Sequence, residues 1–289
     1  MTTCEVALAD CSRPVEVPEW EVVWGTLERE VGLFTRSAAN AYQVSERDLS
    51  IAIRLHLPRF SLSQLEDESV LRREVVRIAA RMRGLRSGVE SRNLCFGNLH
   101  PGELSLKRDA ARFELVERGV AQVIHERFHY VGSFREGLHF GLFNNGTSSV
   151  NCALPMALAT LSVLDVKHLQ ALMERGGCGA EAMILSRVYC FEHAPRNCIS
   201  YLLGRISNWL RGNLPDVRIL FTYVNPNLGF SGVSYRASNW KEVGEKAISY
   251  RYLGENYASA RQCETIGAPV GWASYRLLPL KIWSYVISD

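Results

Sequence analysis

The chain has 289 residues, 47% of them hydrophobic and 22% charged, with a formal net charge of +3. Those proportions exclude a disordered or low-complexity chain and leave ample material for a packed core, while so small a net charge names no partner by itself. Eight cysteines with no Cys-x-x-Cys pair and no Cys/His spacing suited to zinc exclude a structural zinc module.

No secretory signal and no apolar run near the roughly 18 residues of a membrane span can be found. The expectation is therefore a cytoplasmic protein with free thiols, no metal site and no membrane partner. Lysine occurs at five positions only, so most of the 33 basic residues are Arg, a bias that suits bidentate phosphate contacts.

The first 13 residues carry no periodicity. From Pro18, which can open a helix, Val23, Trp24, Leu27, Val31 and Phe34 fall at helical spacing and predict a helix to about Asn40. A second helix is expected from Ser69, with Leu71, Val75, Ile78, Met82 and Leu85 on one face and Arg73, Arg77 and Arg81 in a row on another. That row could track a phosphate backbone and makes these three arginines candidate nucleic-acid contacts.

Beyond the turn-rich segment 96–102, Glu103 to Arg108 reads as a strand and Ala110 to Phe128 as a helix carrying Phe113, Val116, Val120 and Ile124. Strands at Leu138–Phe143 and Ser149–Met156 flank Asn144-Asn145-Gly146-Thr147, a hairpin signal. A helix around Val166 to Glu174 precedes the apolar run Ala182 to Phe191, the expected central strand. Ile199, Leu202, Leu203, Ile206, Trp209 and Leu210 mark a helix over Asn197–Leu214, and a strand at Val217–Val224, a short helix holding Tyr235 and a last strand at Lys281–Ile287 follow. The order predicts a mixed α/β sheet flanked by helices over residues 93–289, with residues 1–92 as an N-terminal helical extension.

An amide-forming transfer needs a free amine, a polarised carbonyl and an acid for the leaving group. Tyr235 is the expected acid, since a phenol stays protonated at pH 7. His129 at the end of a helix, and His193 at the end of the central strand, are the candidate bases. Arg196, Asn197 and Ser200 stand where a helix N-terminus would follow that strand, a ready seat for a pyrophosphate or nucleic-acid phosphate.

The spacing Tyr-x-x-x-Asn-Trp, Tyr235 to Trp240, resembles the signature that closes the fourth helix of GNAT acyltransferases, and implies a GNAT-like, centrally splayed sheet. More narrowly, Tyr-x-Asn-Pro-x-x-Gly-x-x-Gly-x-x-Tyr-x-Ala-x-Asn-Trp, from Tyr223 to Trp240, resembles the Mom family of phage DNA-modification proteins. His129-Tyr130 followed by Ser133 is similar to the His-Tyr-Ser element of that family and places both rings beside the site. The turn Arg196-Asn-Cys-Ile-Ser200 lacks the glycines with which ordinary GNAT proteins close around coenzyme A. Mom-like sequences carry an acid and a His where this chain has Asn225 and Phe230, and Asn225 joins the candidate donor-side residues.

The resemblance and the residues together lead to an acyltransferase whose first reading moves an aminoacyl group from a charged transfer RNA to an amine of a peptide or small metabolite. No cofactor is certain, the donor being either aminoacyl-tRNA or acyl-CoA, and nucleic acid is an expected partner, transfer RNA ahead of DNA. The alternatives are Mom-like modification of the adenine amino group in DNA, an acetyl-CoA-dependent N-acetyltransferase, and a binding module without catalysis.

Overall fold

The computed structural model describes residues 17–90, 111–144, 154–163, 181–192, 194–259, 262–263 and 269–287. The chain begins in a helical layer. Helix α1 (Trp20–Tyr42) buries Trp20, Val23, Trp24, Leu27 and Val31 on one stripe, as their spacing requires, and stops at Gln43, whose φ of 52° is left-handed. Helix α2 (Glu46–His56) was not anticipated. Its start is capped by Ser45, which accepts from the Asp48 amide, and Leu49 and Ile53 are fully buried, yet the alternation in Ile51–Leu57 blurs the helical period. After the single turn α3 (Leu62–Leu65), α4 (Glu68–Glu90) buries Leu71, Val75 and Ile78 against α1.

This layer is locked by residues from the other end of the chain. Tyr275 lies in the same buried cluster, its ring 5.3 Å from that of Trp20. The Trp20 amide donates to the Arg276 carbonyl and the Arg276 amide to that of Pro18, both at 3.0 Å.

The sheet begins at β1 (Ala111–Leu115), which leads into α5 (Arg118–Arg127). The sequence-based expectation of one helix over Ala110–Phe128 is therefore corrected. Phe113, Val116, Val120 and Ile124 mimic a helical stripe, but Ala-Arg-Phe-Glu-Leu also alternates, and antiparallel pairing with β2 (Leu138–Asn144) satisfies its backbone. Strand β3 (Ala157–Val163) pairs antiparallel with β2, as the hairpin signal implies, although it runs later than the expected Ser149–Met156. The Asn-Gly turn, the expected strand Glu103–Arg108 and the expected helix Val166–Glu174 lie outside the described residues.

Next come β4 (Glu181–Cys190), α6 (Cys198–Asn213), β5 (Val217–Val224), α7 (Val233–Arg236), β6 (Lys241–Lys246), the short strands β7 (Arg251–Leu253), β8 (Asn256–Ala258) and β9 (Gly271–Trp272), and β10 (Leu280–Val286). The main sheet has seven strands in the order β1-β2-β3-β4-β5-β10-β6, while β8-β7-β9 form a small second sheet. On one face Leu202, Leu203, Ile206 and Leu210 of α6 pack on Phe140, Ala159, Leu161 and Leu185. On the other, Ala121 and Ile124 of α5 pack on Leu158 and Tyr189, because successive residues of β3 point to opposite sides.

All sheet contacts are antiparallel except β4 with β5. That parallel pair is joined only where Glu181–Ile184 meets Val217–Phe221; beyond Ile184 the two strands part. The expected mixed, centrally splayed α/β sheet with an N-terminal helical segment is the fold observed.

Replacing Trp20 with Ala should lower stability by about 3–5 kcal/mol, because a large, fully buried ring is lost from the seam between the chain's two ends. Urea unfolding followed by tryptophan-independent circular dichroism would measure it. A change under 1 kcal/mol would show that the seam does not depend on this ring.

Candidate active site

The opening between β4 and β5 organises the site. Where the strands separate, the Thr222 hydroxyl donates to the Leu185 carbonyl at 2.9 Å and stands in for the missing ladder bond. Thr222 is the polar side chain next to the Tyr235 hydroxyl, which sets Tyr235 beside the gap. Its helix is a single turn launched by Gly232, whose φ is +71° and where a Cβ would come within 2.6 Å of the Trp283 indole. The Tyr235 ring is wedged by Trp240 at 5.3 Å and Trp283 at 6.3 Å, and burial pushes its hydroxyl above the ordinary phenol value.

Beside this gap lies a cavity of about 350 Å³, walled by α2, α4, the end of α5 and β4, with Phe230 and Tyr257 completing it. His129 and Tyr130 both line it. Their rings stack at 4.4 Å, and Tyr130 tilts against Phe230 at 5.6 Å. Tyr235 does not itself line the cavity wall.

His129 differs from the base expected of it. Its Nδ1 accepts the Val131 amide at 3.2 Å, which leaves Nε2 to carry the ring proton. Burial, the Arg187 charge and His125 hold the imidazole well below its ordinary value. A neutral ring whose lone pair is already engaged is a hydrogen-bond donor rather than a proton acceptor.

The charges around the cavity are unequal. Asp48 of α2 is buried and accepts from Arg47 at 2.9 Å, from Arg86 at 2.7 Å and from the Tyr189 hydroxyl at 2.6 Å, so its charge is neutralised where it stands. Glu126 accepts from Gln122. Arg81 and Arg127 also line the cavity, and among the described residues neither meets a carboxylate: Arg81 donates to the Asn256 side chain and Arg127 to the Leu85 carbonyl at 3.0 Å.

The expected row of Arg73, Arg77 and Arg81 is not a free ladder. Arg73 is exposed, whereas Arg77 binds Glu74 at 2.6 Å and pairs with Glu255, and Arg81 turns to the cavity. Packing of α4 against the β7–β8 turn, which the sequence did not reveal, divides the row.

On the donor side, Arg196 is exposed and Asn197 holds the turn with φ 64° and ψ 10°, without a capping bond from its side chain. The Ser200 hydroxyl donates to the Asn197 carbonyl at 2.9 Å. Ile199 and Tyr201 occupy the places of the coenzyme A glycines; Ile199 lines the cavity and Tyr201 packs on the sheet core, so the turn does not fit the usual backbone embrace of that cofactor. Asn225, expected on the donor side, is buried. Its amide nitrogen donates to the Tyr250 hydroxyl at 2.8 Å and its oxygen accepts from Asn227, which makes it a support for the loop before Tyr235. His193 lies outside the described residues. Among them, no three His, Cys, Asp or Glu side chains are grouped to hold a metal ion, and no helix is long and apolar enough to cross a membrane.

Several residues of the site escaped sequence reasoning. Arg187, a charge in the middle of an apolar strand run, was the readable signal; it acts electrostatically on His129 and Tyr130. Asp48 and His56 lie on the unrecognised α2, and both are buried.

Among the described residues the strand order, with one parallel pair that splays, is a GNAT-like architecture. The model of the Mom protein family matches residues 110–269, more than half of the chain, and the protein belongs to that family. No curated protein matches. Similar solved structures include the ribosomal-protein-S18-alanine N-acetyltransferase from Escherichia coli, 14% identical with a TM-score of 0.38, covering 62% of this chain and 95% of its own. They also include NAA60 from Arabidopsis thaliana in complex with acetyl-CoA, 11% identical with a TM-score of 0.40, covering 62% and 99%. An N-acetyltransferase from Staphylococcus aureus Mu50 is 12% identical with a TM-score of 0.36, covering 62% and 99%. Likeness this remote transfers no activity.

The buried histidines make stability depend on acid. His56 and His125 are held near pKa 3, His56 by burial and the Arg81 and Arg77 charges, His125 by burial and Arg187. The unfolded chain binds these protons near 6.5 and the folded one does not, so stability is full above 6.5 and falls as pH drops toward 3. At pH 5 each should have cost about 2 kcal/mol relative to pH 7. Urea midpoints at both pH values measure this, with His56→Gln expected to remove its own share; equal midpoints for the wild type would refute the neutral, buried state.

Proposed function

We propose that the protein transfers an acyl-type group to the exocyclic amine of a nucleobase, adenine in DNA by its family, presented out of the base stack in the cavity between the helical layer and β4. The observation that carries this reading is the character of that cavity. It is walled by aromatic rings, among them Phe128, Tyr130, Tyr189 and Phe230, its imidazoles are neutral, and Arg81 and Arg127 stand on it without a carboxylate partner. A peptide or alkyl amine is mostly an ammonium at pH 7 and would meet Arg81 and Arg127 with only the exposed Glu126 to offset them. A nucleobase amine is uncharged, offers a ring to stack on, and needs no base before it attacks.

The amine would form the new C–N bond as the bond from the acyl carbon to the leaving group breaks, and the proton then lost by the tetrahedral nitrogen returns through solvent to the Tyr235 phenolate. Tyr235, held neutral by burial, supplies the proton to the departing group. His129 donates from Nε2 to orient the acceptor, Tyr130 positions it by stacking, and Arg196, Asn197 and Ser200 face the donor. We retain His193 as a candidate on that side. The donor is held less deeply than coenzyme A in a glycine-lined turn. The sequence-based expectation of an aminoacyl-tRNA donor gains no support from the comparisons, and the charge of the cavity disfavours the alkyl amine acceptor paired with it. The division at residue 92 belongs to this reading too, with the helical extension closing the transferase domain.

Incubation with plasmid DNA and a cell extract as donor source, followed by mass spectrometry of the digested nucleosides, should reveal a modified adenosine. Tyr235→Phe should lower kcat about 100-fold with KM nearly unchanged, and His129→Ala should lower kcat/KM by about the same factor. Unmodified nucleosides together with a modified peptide or small amine would overturn the acceptor. Undiminished turnover in Tyr235→Phe would remove that residue from the chemistry.

A further inference from the structure

The helical layer does more than cover the sheet. Arg81 of α4 and Arg127 at the end of α5 reach the cavity from opposite sides of the boundary of the family match, which begins at residue 110. Arg127 donates to the Leu85 carbonyl, and Leu85 lies one turn beyond Arg81 on α4. Both side chains therefore line the same cavity, Arg127 against the turn of α4 that follows Arg81. Neither has a carboxylate partner among the described residues. Arg77, the nearest cation to Arg81, is occupied by Glu74 and Glu255 and adds to the positive field.

The other charged groups of the wall leave it positive. Asp48 is saturated by Arg47, Arg86 and Tyr189, Glu126 is exposed and offsets one positive charge, and His56 and His129 are neutral, which leaves the arginines of the wall in excess. Burial and the like charge of Arg77 push the Arg81 guanidinium below its ordinary value, which is the mark of a cation short of an anion. Next to it Ile51, Ala52, Ile78, Met82, Phe128 and Tyr130 give the cavity an apolar and aromatic floor.

We propose that Arg81 and Arg127 form an oxyanion seat for the phosphate of a nucleotide whose base lies on this floor, so that the N-terminal helices, outside the family match, choose the nucleotide that enters the site. The inference builds on the nucleobase acceptor but concerns binding alone. A cavity of about 350 Å³ is at the small end of ligand pockets and takes one nucleotide unit rather than a strand. A guanidinium presents a planar fork to phosphate oxygens, and two such forks on one cavity wall can share a single phosphate.

Calorimetric titration of the full chain with 2′-deoxyadenosine 5′-monophosphate, 2′-deoxyadenosine, inorganic phosphate and N-acetylglycine tests it. The monophosphate should bind at least tenfold more tightly than the nucleoside, and inorganic phosphate should compete with it. Arg81→Gln should erase that preference while leaving nucleoside binding unchanged, and Arg81→Lys should restore part of it. Circular dichroism of Arg81→Gln separates a lost seat from a lost fold, and Arg127→Gln gives a second, independent variant. Equal affinity for monophosphate and nucleoside, absence of monophosphate binding, or tighter binding of N-acetylglycine than of phosphate would each overturn the seat. Modified DNA without the phosphate preference would sink this inference and leave the nucleobase reading standing; the preference without modified DNA would do the reverse.

Discussion

A single parallel strand contact controls this molecule. β4 and β5 share a ladder over Glu181–Ile184 and then diverge, and everything chemical is arranged around the opening. Backbone groups freed by the divergence must find other partners, and the Thr222 hydroxyl on the Leu185 carbonyl is one of them. The same threonine is the polar side chain next to the Tyr235 hydroxyl, so a residue that repairs the sheet also borders the proposed acid. Antiparallel insertion of β10 beside β5 keeps the far side rigid and lets the gap stay open.

The second structural theme is neutralisation at a distance. Asp48 of α2 reaches Tyr189 of β4 and gathers Arg47 and Arg86, tying the helical layer to the sheet through one buried carboxylate. Removing one partner from such a cluster leaves another group buried without its complement, which is far costlier than never having had the pair. Arg47 also donates to the Cys190 carbonyl at 2.5 Å, at the end of β4 where the chain turns toward α6. The cavity owes its unbalanced positive charge to this arrangement, since the one buried acid beside it is fully occupied.

Much of the architecture was readable from the residues. Val217–Val224 is so rich in β-branched and aromatic side chains that its bounds match the strand observed, and the stripe from Leu202 to Leu210 left no choice but a helix. Failures came where two periods overlapped, as in 111–128, or where a short helix such as α2 carried an ambiguous alternation. For the candidate site, the resemblance to Mom-like sequences pointed to Tyr235, His129 and Tyr130, yet what each can do depends on partners that no spacing discloses, as Val131 does for the imidazole tautomer. Asn225 drew attention because it stands where Mom-like sequences carry an acid, whereas its amide is tied to Tyr250, 25 residues away.

The pairing of Trp20 with Tyr275 and Arg276 sets an order on folding during synthesis. The helical layer leaves the ribosome first but waits, with its tryptophan face uncovered, for a segment made some 250 residues later. Contacts so distant along the chain form slowly, and the exposed face is prone to stick to other chains meanwhile. A nascent chain of this protein is therefore a natural client for a holding chaperone until its last strands emerge.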